Sequence, residues 1–200
     1  MGEKGTKVLL DPDAVVAPVD GLQLFGRTCP LEIDLGCGNG QFLLDYGRTF
    51  PEVGLLGVER ARVYGEKGAK RAVNLGIENI RVAVVAAEQV LFEWLAPGSV
   101  HGVHMYFPDP WPKRRHHRRR MLQPAVAFRI AEVLCPGGLL RIKTDHAEKA
   151  AWMTEVLAGV PDLEKVDEEK AFEGLPVTNF EIRYGRKYGM VRFAMKRRET

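Results

Sequence analysis

The strongest constraint on the fold is the regular alternation of short apolar runs with longer amphipathic segments between residues 31 and 145. Each apolar run has the length and composition of a strand that is buried on both faces. The five runs are LEIDL (31–35), VGLLGVE (53–59), IRVAVVA (80–86), VHGVHMYF (100–107) and LLRIKTD (139–145). The segments between them carry apolar residues at helical spacing, and most end at Gly or Pro. This pattern predicts an α/β fold with a doubly wound, mostly parallel sheet.

The two ends of the chain are patterned differently. Residues 1–29 show no clear periodicity, and we interpret them as an N-terminal extension of one domain that spans residues 30–200. With 200 residues and 46% hydrophobic content, the chain can form one sizeable core. An acidic connector, DLEKVDEEKAFEG, follows Pro161, and the alternating run MVRFAMK comes near the C-terminus. The alternation predicts a final antiparallel pair at the sheet edge, with an antiparallel C-terminal edge strand.

Cysteine usage and the N-terminal sequence indicate the compartment. The three cysteines, Cys29, Cys37 and Cys135, are odd in number and lack metal-ligand spacing, so we expect free thiols, no disulfide and no metal. The N-terminus lacks the apolar core of a signal peptide, and no run approaches the roughly 18 apolar residues of a membrane span. We therefore expect a cytoplasmic protein without a membrane segment. For the oligomeric state, a monomer and a homodimer both remain open.

A glycine-rich turn follows the first predicted strand. Its sequence, Asp34-Leu35-Gly36-Cys37-Gly38-Asn39-Gly40, has the spacing G-x-G-x-G, and Gln41 stands where a dinucleotide fingerprint requires Gly. Glu59 closes the second strand, where it can accept hydrogen bonds from ribose hydroxyls. Two carboxylates suit S-adenosylmethionine, which carries a ribose, an ammonium and a sulfonium, better than they suit a pyrophosphate. The alternative is a tight strand-to-helix turn beside a solvated strand end.

The segment after the fourth strand, FPDPWPKRRHHRRR (107–120), combines a rigid turn with the most basic run in the chain. The flanking prolines stiffen a loop that presents the carboxylate of Asp109 and the ring of Trp111, which together can bind a nucleobase. Alternatively, Asp109 is a turn residue and Trp111 a core aromatic.

The basic run itself, KRRHHRRR (113–120), carries six Lys and Arg side chains and no carboxylate, although the formal net charge is only +3. A solvated helix start is one explanation, but solvated surfaces normally mix both signs. We therefore expect this run to bind the phosphates of an RNA. The arginines expected to contact phosphate are Arg114, Arg115, Arg118, Arg119 and Arg120.

FPDPWPKRRHHRRR closely resembles the signature loop of the bacterial tRNA (guanine-N7)-methyltransferases, which methylate a guanosine in the tRNA variable loop. Two further segments match that family in order, Lys143-Thr144-Asp145 and Thr178-Asn179-Phe180-Glu181. The resemblance covers about residues 31–196. It implies a Rossmann-like class I fold, S-adenosylmethionine as the cofactor, tRNA as the partner and guanosine 46 as the acceptor.

The resemblance also implies roles for individual residues. The residues that it implies for cofactor binding are Asp34, Gly36, Gly38, Gly40, Glu59 and Asp109, the last of which is also the catalytic or cofactor-adjacent carboxylate. The residues that it implies for contact with the target nucleotide are Lys113, Asp145, Thr178, Asn179, Phe180 and Glu181. Thr178 and Glu181 also fit a capping box, which predicts a short helix ending near Gly185 or Gly189.

One position departs from the family pattern. Where the family usually has an acidic or amide residue beside the adenine, just after the third strand, this chain has Ala86-Ala87-Glu88. Either the backbone amide of Ala86 or the side chain of Glu88 takes that role.

Two other classes of function remain open from the sequence. One is a methyltransferase of the same fold that acts on another RNA, a protein or a small molecule. The other is a non-catalytic RNA-binding module on this fold, although the presence of Asp34, Glu59 and Asp109 argues against it.

Overall fold

A computed structural model describes residues 8–109, 111, 113–184 and 189–199, and for Arg114 it describes the backbone alone. Seven strands form one mixed sheet in the order β3-β2-β1-β4-β5-β7-β6. The strands are β1 (Leu31–Leu35), β2 (Gly54–Val58), β3 (Ile80–Ala83), β4 (Val100–Tyr106), β5 (Leu134–Thr144), β6 (Leu163–Lys165) and β7 (Val191–Arg197). Strands β1 to β5 pair in parallel, whereas β7 is antiparallel to both of its neighbours. The predicted α/β fold is confirmed.

The helices of the described ranges are α1 (Gly21–Phe25), α2 (Gln41–Thr49), α3 (Arg62–Asn74), α4 (Ala87–Gln89), α5 (Pro124–Val133), α6 (Ala147–Ala158), α7 (Glu168–Phe172) and α8 (Asn179–Tyr184). Helices α2 to α5 connect the parallel strands β1 to β5, as the alternation predicts, whereas α1 precedes β1 and α6 to α8 follow β5. A π-helical turn, Val90–Trp94, continues α4, and 3-10 turns cover Pro12–Ala14 and Arg114–Arg119. Of the helices in the described ranges, none has the length and apolar character needed to cross a bilayer.

The antiparallel pair at the sheet edge is confirmed, but its outer member is β6, which lies in the acidic stretch predicted to be a connector. The C-terminal strand β7 is therefore one position in from the edge. Strand β6 has three residues, of which only Leu163 is buried, so no periodicity reveals it. Its central residue, Glu164, forms ion pairs at 3.1 Å with Lys196 and Arg198 of the neighbouring segment.

Part of the N-terminal segment packs against the sheet. The amide of Leu10 donates to the carbonyl of Val82, and the amide of Val82 donates to the carbonyl of Val8. Val19 and Leu24 are buried in the same core as β1 and β4. Residues 8–10 thus cover the outer edge of β3, a position at which an unpaired strand would otherwise be exposed.

The start of α2 lies against α3 through two glycines. Gly40 has φ +77°, and a Cβ at Gly40 would stand 2.9 Å from the Cα of Gly68. Only glycine satisfies both conditions, because the backbone is left-handed and the neighbouring atom is itself backbone. This contact sets how closely the glycine turn approaches α3.

We predict that Gly40→Ala destabilises the protein more than Gly26→Ala does. Gly26 has a similar φ of +70°, but a Cβ there meets nothing within 4 Å. The control should therefore cost only the left-handed backbone penalty, about 1 kcal/mol. Gly40→Ala should cost about 1–3 kcal/mol more because it also overpacks a backbone contact. Urea unfolding of both variants measures the difference, and equal losses would contradict the role assigned to the Gly40–Gly68 contact.

Candidate active site

A crevice of about 140 Å³ opens at the carboxyl ends of β1 and β4. Its walls are the glycine turn after β1, Tyr106 at the end of β4, Phe107 directly after it, and the segment Thr178–Phe180. Asp34, Gly36, Gly38, Thr178, Asn179 and Phe180, all predicted site residues, are thus brought together. A larger depression, about 440 Å³, lies at the amino ends of β2 and β3 and is lined by residues such as Arg48 and Asn79. Open α/β sheets bind ligands at the carboxyl ends, so we assign the site to the smaller crevice.

Two glycines of the turn line the crevice and have left-handed backbone. Gly36 and Gly38 have φ +80° and +55°, and a Cβ at Gly38 would meet nothing within 4 Å. The amides of Gly36 and Cys37 both donate to the carbonyl of Val58, at 2.8 and 3.1 Å, which ties the turn to the end of β2. A ligand can therefore approach the backbone closely without moving it.

Glu59 braces this turn. Its carboxylate accepts from the amide of Gly38 at 2.9 Å and from the amide of Ala61 at 2.7 Å. A carboxylate has about four acceptor positions, so two remain for ribose hydroxyls. The position of Glu59 at the end of β2 predicted a ligand-binding role, but it did not predict these hydrogen bonds to the turn.

Asp34 is a strongly perturbed carboxyl group of the site. Its side chain is buried, the residue being 3% exposed, and it lines the crevice. Burial, reinforced by the negative charge of Glu59, raises the pKa of Asp34 to about 8. No hydrogen bond from another described residue contributes to the pKa of its carboxyl group. A buried carboxylate without such hydrogen bonds favours a cationic ligand, and the ammonium and sulfonium of S-adenosylmethionine fit this requirement.

The positions after β3 lie outside the crevice lining. Ala86 is the N-cap of α4, and Glu88 is exposed in the first turn of that helix. The amide of Glu59 donates to the carbonyl of Ala83 at 3.0 Å, so the ends of β2 and β3 are adjacent. The segment that contains Ala86 and Glu88 therefore follows a strand whose end is adjacent to Glu59.

The loop after β4 has an unusual backbone. Phe107 and Trp111 have φ +49° and +42°, values that bulky residues rarely adopt. The ring of Phe107 stacks on Phe180, with centroids 4.3 Å apart, and Trp111 contacts Arg119 and His116. The side chain of Asp109, between these residues, is exposed. Pro110 and Pro112 lie outside the described residues.

Lys149, a residue that was not predicted from the sequence, binds the backbone of this loop. Lys149 is 1% exposed, and its Nζ donates to the carbonyls of Pro108 and Asp109. A signal was present in the sequence. Lys149 occupies the first position of a stripe completed by the buried residues Met153 and Val156, where an apolar residue is expected.

The predicted capping box is present at Thr178. The amide of Glu181 donates to Thr178 Oγ1 at 3.2 Å, and the amide of Thr178 donates to Glu181 Oε2 at 2.9 Å. Both Glu181 oxygens also accept from Lys143 Nζ at 2.9 Å, and the two side chains are only 6% and 5% exposed. Helix α8 is therefore anchored to the end of β5. Gly185, one predicted end of this helix, lies outside the described residues.

The basic run is not uniform. Lys113, Arg115, Arg118 and Arg119 are exposed around a 3-10 turn. Arg120 differs from the expectation, because its side chain is 2% exposed and forms a 2.7 Å ion pair with Glu148. Such a buried, paired guanidinium is not placed to meet a phosphate. The side chain of Arg114 lies outside the described residues.

Within the described ranges, no His, Cys, Asp and Glu side chains form a group suited to a metal.

Comparisons with known proteins agree with this geometry. The sequence model of the family described as "Putative methyltransferase" matches residues 28–193. The tRNA (guanine-N(7)-)-methyltransferase of Alkalilimnicola ehrlichii is 39% identical over 85% of this chain and 73% of its own length. The enzyme of the same name from Leifsonia xyli is 42% identical over 90% of this chain and 77% of its own length. Among solved structures, the 16S rRNA methyltransferase KamB superposes with a TM-score of 0.61 at 17% identity, over 88% and 92% of the two chains.

The fold and the crevice thus define a Rossmann-like class I methyltransferase, with S-adenosylmethionine as its cofactor. The chain belongs to the tRNA (guanine-N7)-methyltransferase family.

We predict that cofactor affinity depends on Asp34 and on pH. Below about pH 8 the carboxyl of Asp34 is protonated in the free protein, and a cationic ligand must displace that proton. The dissociation constant for S-adenosylmethionine should therefore fall as pH rises from 6 to 8, by up to about tenfold per unit. Asp34→Asn should bind more weakly and without this dependence.

Calorimetric titration at pH 6, 7 and 8 measures both effects, and two buffers with different ionisation enthalpies reveal the released proton. Asp162→Asn, an exposed position, is the matched control and should behave as the wild type. Equal affinity at all three pH values in the wild type would contradict the assignment of Asp34.

Proposed function

We propose that this protein transfers the methyl group of S-adenosylmethionine to N7 of a guanosine in tRNA, and that the acceptor is guanosine 46 of the variable loop. The main support is that three features of the candidate site follow one another closely along the chain. Phe107 lines the crevice, Asp109 is exposed two residues later, and the exposed cations start at Lys113. Cofactor, reactive base and RNA backbone can therefore be bound side by side.

The cofactor supplies a methyl group on a positively charged sulfur. In the proposed complex, Asp34 neutralises the charge of the bound cofactor, and the backbone of Gly36, Gly38 and Gly40 forms its floor. Glu59 accepts from the ribose hydroxyls with the lone pairs that Gly38 and Ala61 leave free. Ala86 and Glu88 flank the adenine. The small crevice volume fits this arrangement, because the ribose and adenine would lie along the ends of β2 and β3, outside it.

The acceptor atom requires no general base. N7 of guanine carries an in-plane lone pair and no proton, so the rate depends on alignment and on the exclusion of water. In our proposal, the exposed carboxylate of Asp109 accepts hydrogen bonds from the guanine edge and stabilises the positive charge that moves onto the purine. Asp145, at the end of β5, provides a second acceptor for this edge.

The crevice wall opposite Asp34 offers a surface for the base. Thr178, Asn179 and Phe180 line it, and the ring of Phe180 is held by its stack on Phe107. Aromatic rings bind unstacked bases without regard to sequence, so acceptor identity must come from the polar groups. Glu181 supports this wall through Lys143, and its contact with the nucleotide is indirect in our proposal.

The exposed cations bind the RNA backbone around the acceptor. A-form RNA buries N7 in a deep major groove, so the protein must reach an exposed or splayed base. A variable-loop guanosine meets that requirement. We assign the phosphate contacts to Lys113, Arg115, Arg118 and Arg119, with Arg114 included from its place in the sequence.

The direct test incubates the purified protein with methyl-labelled S-adenosylmethionine and unmodified tRNA transcripts, followed by nuclease digestion and nucleoside analysis. We expect label in 7-methylguanosine at position 46, and we expect a transcript with guanosine 46 changed to adenosine to receive none. Label in another nucleoside would reject the N7 assignment, and label at another guanosine would reject the position. Cofactor binding without transfer to any transcript would favour a binding module.

We predict that the double variant Arg115→Gln/Arg118→Gln weakens tRNA binding in a salt-dependent way. Each lost phosphate contact should reduce the steepness of log K against log salt by about 0.7–0.9, so two should reduce it by about 1.5. Arg48→Gln, an exposed arginine at the amino ends of the strands, is the control and should keep the wild-type slope. Filter binding between 50 and 300 mM salt measures the slopes. An unchanged slope in the double variant would reject these phosphate contacts.

A further inference from the structure

The ammonium of Lys149 lies in an environment that is unfavourable for a positive charge. Lys149 is the third residue of α6, after the N-cap His146, and is one of the largest fully buried side chains in the described ranges. Three factors oppose an ammonium at this place. It loses its hydration, it lies in the first turn of a helix, where cations are unfavourable, and it is repelled by the buried guanidinium of Arg120.

The groups that compensate this cost all lie at the candidate site. Nζ donates to the carbonyl of Pro108 and, at 3.0 Å, to the carbonyl of Asp109. The carboxylates of Asp109 and Asp145 attract the ammonium. Lys149 is therefore tied to the loop after β4 and to the end of β5, not to a salt bridge within its own helix. Methionine would fill the same space without any of these costs, so packing alone does not explain a lysine here.

The loop that Lys149 holds needs an external anchor. Its described residues include two bulky side chains with positive φ, Phe107 and Trp111, on either side of Asp109. Residues in such conformations persist only where surrounding contacts over-determine them. The stack of Phe107 on Phe180 secures one end, and the contact of Trp111 with Arg119 secures the other. The backbone between them is held by Lys149.

We propose that Lys149 is a positioning residue for methyl transfer, because its ammonium fixes the Pro108–Asp109 backbone and thereby directs the Asp109 carboxylate toward the acceptor base. The catalytic consequence rests on the proposed function, whereas the anchoring of the loop does not. Lys149 does not itself meet the substrate, since its described contacts are backbone carbonyls below the loop.

The charge state of Lys149 gives a further signature. Burial, with the positive charge of Arg120, lowers the pKa of Lys149 to about 7. The negative charges of Asp109 and Asp145 raise it, but they do not outweigh the burial. The ammonium is present below that pH and is lost above it. The turnover number at saturating cofactor and tRNA should therefore decline above about pH 7. Lys149→Arg, which stays charged at all these pH values, should remove the decline.

The test compares Lys149→Met, Lys149→Arg and Asp109→Asn with a matched control, Lys165→Met, whose lysine is exposed on the distant edge strand β6. We expect Lys149→Met to lower kcat by about 100-fold, because a displacement of about 1 Å at a reacting group has that effect. Its melting temperature and its affinity for S-adenosylmethionine should stay near those of the wild type. The double variant Lys149→Met/Asp109→Asn should be no slower than Asp109→Asn alone, because Lys149 acts through Asp109.

Limited trypsin digestion provides a measurement that does not depend on methyl transfer. Release of the anchor should speed cleavage within residues 113–120 in Lys149→Met, but neither in Lys165→Met nor in Lys149→Arg. If the wild type methylates no tRNA, the proposed function fails, while the cleavage rates still decide whether Lys149 anchors the loop.

Three results would overturn the inference. The first is wild-type kcat and cleavage in Lys149→Met. The second is a fall in melting temperature and cofactor affinity in both Lys149 variants, which indicates a general structural role. The third is additive losses in the double variant, which would show that Lys149 does not act through Asp109.

Discussion

The buried carboxylate of Asp34 is the constraint around which the site is organised. Two residues earlier, on the same face of β1, Glu32 hydrogen-bonds with His104 at 2.6 Å and with Tyr46 at 2.7 Å. Burial raises the pKa of Glu32, but these contacts and the charge of Arg141 outweigh it and hold the pKa at about 2. No such hydrogen bond from a described residue contributes to the pKa of Asp34, which is raised to about 8. Strand β1 thus carries Glu32, whose carboxylate is hydrogen-bonded within the fold, and Asp34, whose carboxylate can pair with a cationic cofactor.

The segments around Asp34 are each fixed by a charged group that binds backbone or a buried partner. Glu59 holds the glycine turn through two amides. Lys143 pairs with Glu181 and anchors α8, and Lys149 binds the carbonyls of the loop after β4. These groups lie on different elements but act on one crevice. The loop after β4, held in this way, can present Asp109 in a fixed geometry, and helix α8 can do the same for Phe180.

Much of this arrangement could be predicted from the sequence, because its signals are local. Short segments rich in apolar residues predicted β1 to β5, and the spacing of Gly36, Gly38 and Gly40 predicted the turn. The four residues from Thr178 to Glu181 predicted a capping box, which the hydrogen bonds confirm. Strand β6 could not be found in this way, because three residues are too few for a periodic pattern and its partner, β7, lies about 30 residues further along the chain. Arg120 was grouped with its exposed neighbours because its partner, Glu148, is 28 residues away.

The sequence by itself determined the order of strands β1 to β5 and of the helices between them, the identity of the turn that follows β1 and the concentration of positive charge after Asp109. Each of these depends on residues that are neighbours in the chain. Only the tertiary structure decided which of the charged groups are buried, which are paired and which face the crevice. Burial and pairing depend on residues that are distant in the chain. They decide whether a charged group is stabilised by the fold or can instead bind a ligand or a loop, as Asp34 and Lys149 do in our proposals.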